Sequence, residues 1–142
     1  MADRIYVAEK NRDFINSHLN ILGFDVAQKK EILFMTMALG MNEPQKLPTK
    51  RTGWILYKTF TTSDRTLIEA LRLGADDVND ENINQFADFD TCISYAEQCS
   101  QAGFEKLEKM VQEANNNNDE LEAELMAELD RLYRKNVELN DF

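Results

Sequence analysis

The chain has 142 residues, with 16 Lys and Arg against 26 Asp and Glu, a net charge of -10 and an apolar fraction of 43%. That length favours one domain with one sizeable core, and eight Phe, four Tyr and a Trp offer more burial than a disordered chain carries. No apolar run nears the roughly 20 residues of a membrane-spanning helix, and a single His excludes mechanisms that need two, most catalytic zinc sites among them.

Arg4-Ile5-Tyr6-Val7-Ala8 is short and rich in β-formers, and reads as a strand or extended arm. Phe14, Ile15, Leu19 and Leu22 are spaced as one face of a helix over 11–22, which Gly23 would end. Asp25 and Gln28 form a capping-box variant before a second helix through Ile32, Leu33, Met35, Met37, Ala38 and Leu39. That helix is apolar nearly all round, so it should be the most buried, with Gly40 as its stop. Pro44 and Pro48 keep residues 41–52 out of a regular helix. Trp54 to Phe60 is aromatic and β-favouring, so it predicts a strand, with residues 4–8 as its natural partner. Ser63 is the expected N-cap of a helix through Leu67, Ile68, Leu71 and Leu73, stopped by Gly74.

Asp76 to Asp90 is acidic, with a short helix expected around Ile83 and Phe86. Asp88 caps a helix carrying Cys92, Ile93, Tyr95, Ala96 and Cys99, and Gly103 is read as its end. Phe104, Leu107, Val111 and Ala114 mark one face of another helix. Four asparagines at 115–118 make a poor helix and a natural hinge. Beyond them Leu121, Leu125, Leu129, Leu132 and Leu139 give a helix with an apolar stripe and a surplus of acids. Glu128 and Lys135 interrupt the second seam of a coiled coil, so an amphipathic helix docking on its own domain or on a partner fits better. The expected architecture is therefore mainly α: a helical domain over 1–114 with a minor two-stranded β element, a hinge at 115–118 and an acidic amphipathic helix over 119–142.

Charge is split along the chain. Residues 1–72 hold 11 bases and 8 acids, whereas residues 73–142 hold 5 and 18. A basic working face joined to an acidic interaction segment is one reading, and ordinary charged outer faces of helices are the other. The stretch from Pro44 to Ser63 has no acid and contains Lys46, Lys50, Arg51 and Lys58, with Trp54 and Tyr57 interleaved. Lys and Arg neutralise phosphates and aromatic faces stack on unpaired bases, so these six residues are the candidate surface for nucleic acid or an anionic partner. Lys29 and Lys30 would widen it. The rival is a solvated basic loop leading into a core strand.

Asp77, Asn79, Glu81 and Asp88 fall at ligand positions of a calcium loop, but Asn82 replaces the turn glycine and Asp the final Glu, so an acidic loop with helix caps is preferred and no metal is expected. Cys92 and Cys99 are two turns apart on one helix face, about 10 Å, too far for a mutual disulfide. Two cysteines without a visible secretory signal fit a reducing cytoplasm. His18 has no nucleophile at a recognisable spacing, and no catalytic motif or phosphate-binding glycine loop is present. No cofactor and no catalytic residue are assigned. An enzyme with a cleft lined by Asp64 and Glu69 is the weakest alternative, because Asp64 reads more simply as a first-turn helix acid.

Five blocks in order carry a family resemblance: residues 4–10 (RIYVAEK), 35–40 (MTMALG), 47–53 (LPTKRTG), 67–73 (LIEALRL) and 95–104 (YAEQCSQAGF). Together they resemble the small accessory proteins of DNA-phosphorothioation (Dnd-type) defence operons, over about residues 3–112. The chain departs from the family from Asn115 onward. The resemblance implies a bacterial, cytoplasmic, non-enzymatic accessory role in antiphage defence beside larger DNA-processing proteins. Small subunits of other defence complexes are the competing context. The expected partners are larger proteins of such a complex, with DNA as a further candidate and no membrane. The rival function is a protein–protein adaptor or homo-oligomer joined through the leucine-bearing C-terminal helix.

Overall fold

The computed structural model describes residues 3–22, 29–114 and 118–140, with side chains in its first helix as far as 17 and in its last at 119–131 and 134. The expected stop at Gly23, the Asp25 and Gln28 capping box and most of the Asn-rich hinge lie outside the described residues. So do the side chains of His18, Leu19, Leu22, Leu132 and Leu139.

Two strands and five helices make up the described fold: β1 (Arg4–Ala8), α1 (Glu9–Leu22), α2 (Lys29–Leu39), β2 (Arg51–Leu56), α3 (Thr62–Leu73), α4 (Phe89–Glu113) and α5 (Asn118–Asn140). The fold is mainly α with a minor antiparallel sheet, as the residue patterns predict. In β1 the alternation is plain, with Ile5 and Val7 buried and Tyr6 exposed. Ile5 faces Ile55, but Tyr6 faces Gly53, which leaves Trp54 as an extra residue and makes a bulge.

Three expectations need correction. First, the second strand is not 54–60: it begins at Arg51 and ends at Leu56. Tyr57–Thr59 winds into a 3-10 turn, closed by the Phe60 N–H on the Tyr57 carbonyl at 3.0 Å and by the Thr59 hydroxyl on the Leu56 carbonyl at 2.7 Å. Local hydrogen bonds thus outweigh β propensity there.

Second, the N-cap of α3 is Thr61 and not Ser63. Thr61 is extended, its hydroxyl accepts from the Asp64 N–H at 3.1 Å, and the Asp64 carboxylate accepts from the Thr61 N–H at 2.9 Å. This is a full capping box, in which each side chain satisfies the other residue's otherwise unpaired amide. Thr61→Ala should therefore cost about 1 kcal/mol in urea denaturation. Ser63→Ala, inside the helix, should stay within about 0.5 kcal/mol.

Third, Gly103 does not end a helix. α4 runs unbroken through it for 25 residues, from the Asp88 cap, whose carboxylate accepts from the Thr91 N–H at 3.2 Å. Gly103 instead lies against α2. A Cβ there would sit 1.8 Å from the Thr36 carbonyl oxygen, and a Cβ on Gly40 would sit 1.9 Å from the Cys99 carbonyl oxygen. The two glycines thus let the backbones of α2 and α4 touch, and beside them the buried Thr36 and Ser100 hydroxyls share a 2.7 Å hydrogen bond.

The core has two lobes. One gathers Val7, Phe14, Ile15, Ile32, Leu39, Phe104, Leu107, Val111 and Leu121. The other gathers Ile5, Leu33, Met37, Ile55, Phe60, Ile68, Cys92 and Ile93. α2 supplies both, which explains its all-round apolar surface, and Trp54 packs against both. α5 lies on α1, α2 and α4. Leu121 is buried, which contributes about 2 kcal/mol, and Leu125 and Leu129 pack on the same lobe. Of the leucine stripe expected to dock on its own domain or on a partner, Leu121 is thus buried in the chain's own core, with Leu125 and Leu129 partly buried against it.

Candidate functional site

Between α2 and β2 the chain turns at Gly40–Asn42, where Asn42 takes a left-handed φ of 63° that its short polar side chain tolerates. Residues 43–50 then cross α4 as an extended strap. The two prolines keep the strap from becoming helical. It is held by the Gln45 N–H on the Gln98 carbonyl at 3.0 Å, by the Lys106 ammonium on Glu43 at 3.0 Å, and by the buried Leu47 side chain. Lys106 also reaches Glu128 of α5 at 3.7 Å, so one cation joins strap, α4 and α5.

A cleft opens on each side of the strap. The larger, about 490 Å³, lies toward α1 and α4. Its charged lining is balanced, with Lys10, Lys46 and Lys50 against Glu9, Asp13 and Glu105. Lys10 pairs with Glu105 at 3.6 Å and Lys50 with Glu9 at 3.7 Å. The buried Gln101 also lines it, its carbonyl accepting from the buried Asn11 amide at 2.7 Å.

The smaller cleft, about 250 Å³, lies between the strap and the middle of α4. Lys46, Thr49 and Arg51 line it from one side, and Ser94, Glu97 and Gln98 from the other. Glu97 accepts the Tyr6 N–H at 2.5 Å, next to the bulge in the sheet. Burial pushes its carboxyl up to about 7, although the Tyr6 N–H and the positive charge of Arg51 oppose the rise. The Arg51 guanidinium lies over the Tyr6 ring, 5.8 Å from its centre.

The structure therefore brings Lys46, Lys50 and Arg51 together around the strap. It places Trp54, Tyr57 and Lys58 elsewhere. Trp54 is partly buried, its ring 5.9 Å from that of Phe104. Tyr57 sits edge-on to Phe89 at 5.8 Å and beside Phe60 at 6.5 Å. Burial first, then the charges of Glu97 and Asp90, pushes its hydroxyl up to about 12. Both rings are engaged by core neighbours, so the cations and the aromatics of the acid-free stretch do not form one surface. Lys58 is exposed on the 3-10 turn. Lys30 is bound to Asp64 at 2.9 Å and to the Thr59 carbonyl at 3.1 Å. Its hydrogen bond is the main reason the Asp64 carboxyl is held below the usual range, with the Thr61 N–H adding to it.

Sequence reasoning missed Glu97, Ser94 and Glu105. The available signal for Glu97 was a lone acid between the buried Ala96 and Cys99 of α4. It also missed Arg72, which is buried between the rings of Phe86 and Tyr95, 3.9 and 4.5 Å away, and grips Asp77 through two bonds of 2.9 and 3.0 Å. Asp77 and Asn79, the first residues of the apparent calcium pattern, are thus otherwise engaged: the Asn79 side chain accepts from the Glu81 and Asn82 amides. Cys92 and Cys99 are buried free thiols. Burial raises both, Cys99 to about 11, so neither supplies thiolate near neutral pH. Set against known proteins, the chain matches no family model, no curated protein and no solved structure.

Proposed function

We propose that the protein is a non-enzymatic accessory subunit that docks onto larger proteins of a bacterial DNA-targeting antiphage defence complex. The defence setting is supported by the five sequence blocks. The choice of a protein over DNA as the direct partner is carried by one observation: both clefts beside the strap mix bases with acids, three against three in the larger and two against one in the smaller. A duplex backbone presents a single sign of charge, so a mixed lining gives it no net attraction, whereas a protein surface can match both signs. The packing of Trp54 and Tyr57 on core rings removes the stacking platform that single strands use. Self-association through α5 has less support, because Leu121, Leu125 and Leu129 lie on the chain's own core.

The test is co-expression of the tagged chain with the large proteins encoded beside it. One of them should co-purify in fixed stoichiometry, and the Lys46→Glu, Lys50→Glu, Arg51→Glu triple variant should retain about tenfold less of it. Fluorescence anisotropy with duplex and single-stranded DNA over a salt series should show no salt-dependent binding by either form. Salt-dependent DNA binding abolished by the triple variant would reverse the choice of partner, and failure of every neighbouring protein to co-purify would overturn the accessory role.

A further inference from the structure

The two clefts beside the strap differ in one respect. In the larger, Lys10 and Lys50 already have carboxylate partners. In the smaller, Lys46 and Arg51 make no ion pair with any described residue, yet both line the same small space. The hydroxyls of Thr49 and Ser94 and the amide of Gln98 line it as well. Arg51 lies over the Tyr6 ring, and the cleft sets two exposed cations and two exposed hydroxyls against the single carboxyl of Glu97, a surplus of donors over acceptors. A carboxylate offers two oxygens, whereas a phosphate group offers three strong acceptors and up to two charges. At about 250 Å³ the space falls below the range of drug-sized ligands, so it suits a small group.

We propose that the smaller cleft, lined by Lys46, Arg51, Thr49 and Ser94, is a binding site for a phosphate group. Lys46 supplies a point charge and Arg51 a planar fork for two oxygens. The site is a property of this chain and holds whichever protein it docks to.

Glu97 is the one acid of the cleft and makes the site proton-linked. The groups around it are the Tyr6 amide and ring on β1, Arg51 on β2, Lys46 on the strap, Tyr57 after β2, and Ser94 and Gln98 on its own helix. One carboxylate oxygen is occupied by the Tyr6 N–H. When the other carries a proton it donates to the bound anion; when ionised it repels it. Binding therefore takes up a proton, and the anion binds more tightly below pH 7 than above.

Sulfate keeps the same charge from pH 6 to 8, so it reads the protein's proton alone, while inorganic phosphate and O-phosphoserine separate a free ion from a phosphoryl group on a larger molecule. Isothermal titration should show saturable binding of sulfate, about tenfold tighter at pH 6 than at pH 8. Tighter O-phosphoserine than inorganic phosphate assigns the site to phosphoryl groups on larger molecules, and the reverse order assigns it to the free ion. Lys46→Ala with Arg51→Gln should weaken binding about tenfold or more. Lys10→Ala with Lys50→Ala, in the neighbouring cleft, should leave it within about twofold. Glu97→Gln still accepts the Tyr6 N–H and should bind equally at both pH values. Circular dichroism shows that each variant is folded. The proposal is overturned by absence of saturable binding, by equal weakening in both double variants, or by a wild-type affinity that ignores pH.

Discussion

Gly103→Ala should lower the unfolding free energy by about 3 kcal/mol, at the upper end for overpacking a core. For a domain of ordinary stability, about 5 to 15 kcal/mol, that is a large fraction of the whole. The reason is that the added methyl meets backbone. Its Cβ would lie 1.8 Å from the Thr36 oxygen, 2.5 Å from the Thr36 carbonyl carbon and 2.8 Å from the Thr36 Cα. A flexible side chain could swing aside, but here α2 itself must move, and with it Ile32, Leu33, Met37 and Leu39, which belong to both lobes of the core. Gly74→Ala is the control. Its Cβ would lie 3.0 Å from the Ala70 oxygen, and its φ of -87° suits any residue, so the change should stay within about 1 kcal/mol. Urea denaturation of the two variants tests the contact. If they prove equally stable, α2 and α4 do not approach as described.

Arg72→Ala should lose about 2 to 3 kcal/mol. Arg72 is 5% exposed and its guanidinium is sandwiched by Phe86 and Tyr95, so truncation removes buried packing and two cation–π contacts. It also releases Asp77, which ties the segment after α3 to the helix. Because Asp77 is itself well exposed, no buried charge is left behind, and the loss stays below that of a broken interior ion pair. Arg72→Lys should lose about 1 to 2 kcal/mol, since an ammonium neither stacks flat nor holds two carboxylate oxygens.

The pair also has a pH signature. The hydrogen bond from Arg72 holds the Asp77 carboxyl below the usual range. Its folded pKa is depressed, so this contribution is present above the ordinary Asp value of about 3.9 and disappears as pH falls through the lowered value. In Arg72→Ala that acid-side loss should vanish. Melting temperatures between pH 2 and pH 6, read as differences between wild type and variant, check it, and parallel curves would show that Asp77 gains nothing from Arg72.

The helical frame was legible because it rests on local signals. Apolar spacing marked the helices, and Asp88 was recognisable as a cap. The α3 cap is legible as well: Thr61 stands three residues before Asp64, the spacing of a capping box, while Ser63 is merely adjacent. Gly103 was different in kind. A glycine that stops a helix and one that admits another backbone look alike in one dimension, and Thr36, 67 positions away, decides between them. The site divided in the same way. The acid-free run announced Lys46, Lys50 and Arg51, but the acids that balance or face them come from Glu9, Glu97 and Glu105, on helices that only the fold brings near. Trp54 and Tyr57 looked like a stacking surface because sequence shows which rings are present and not which are already in contact.

The bulge at Trp54 has a practical side. It sets the chain's one tryptophan at the seam of the two lobes, touching Phe104 of one while packing against the other. Its emission therefore registers the joining of the halves, whereas circular dichroism registers the helices within each. Nature has placed a native fluorophore where an experimenter would engineer one to ask whether the lobes come apart together or in turn.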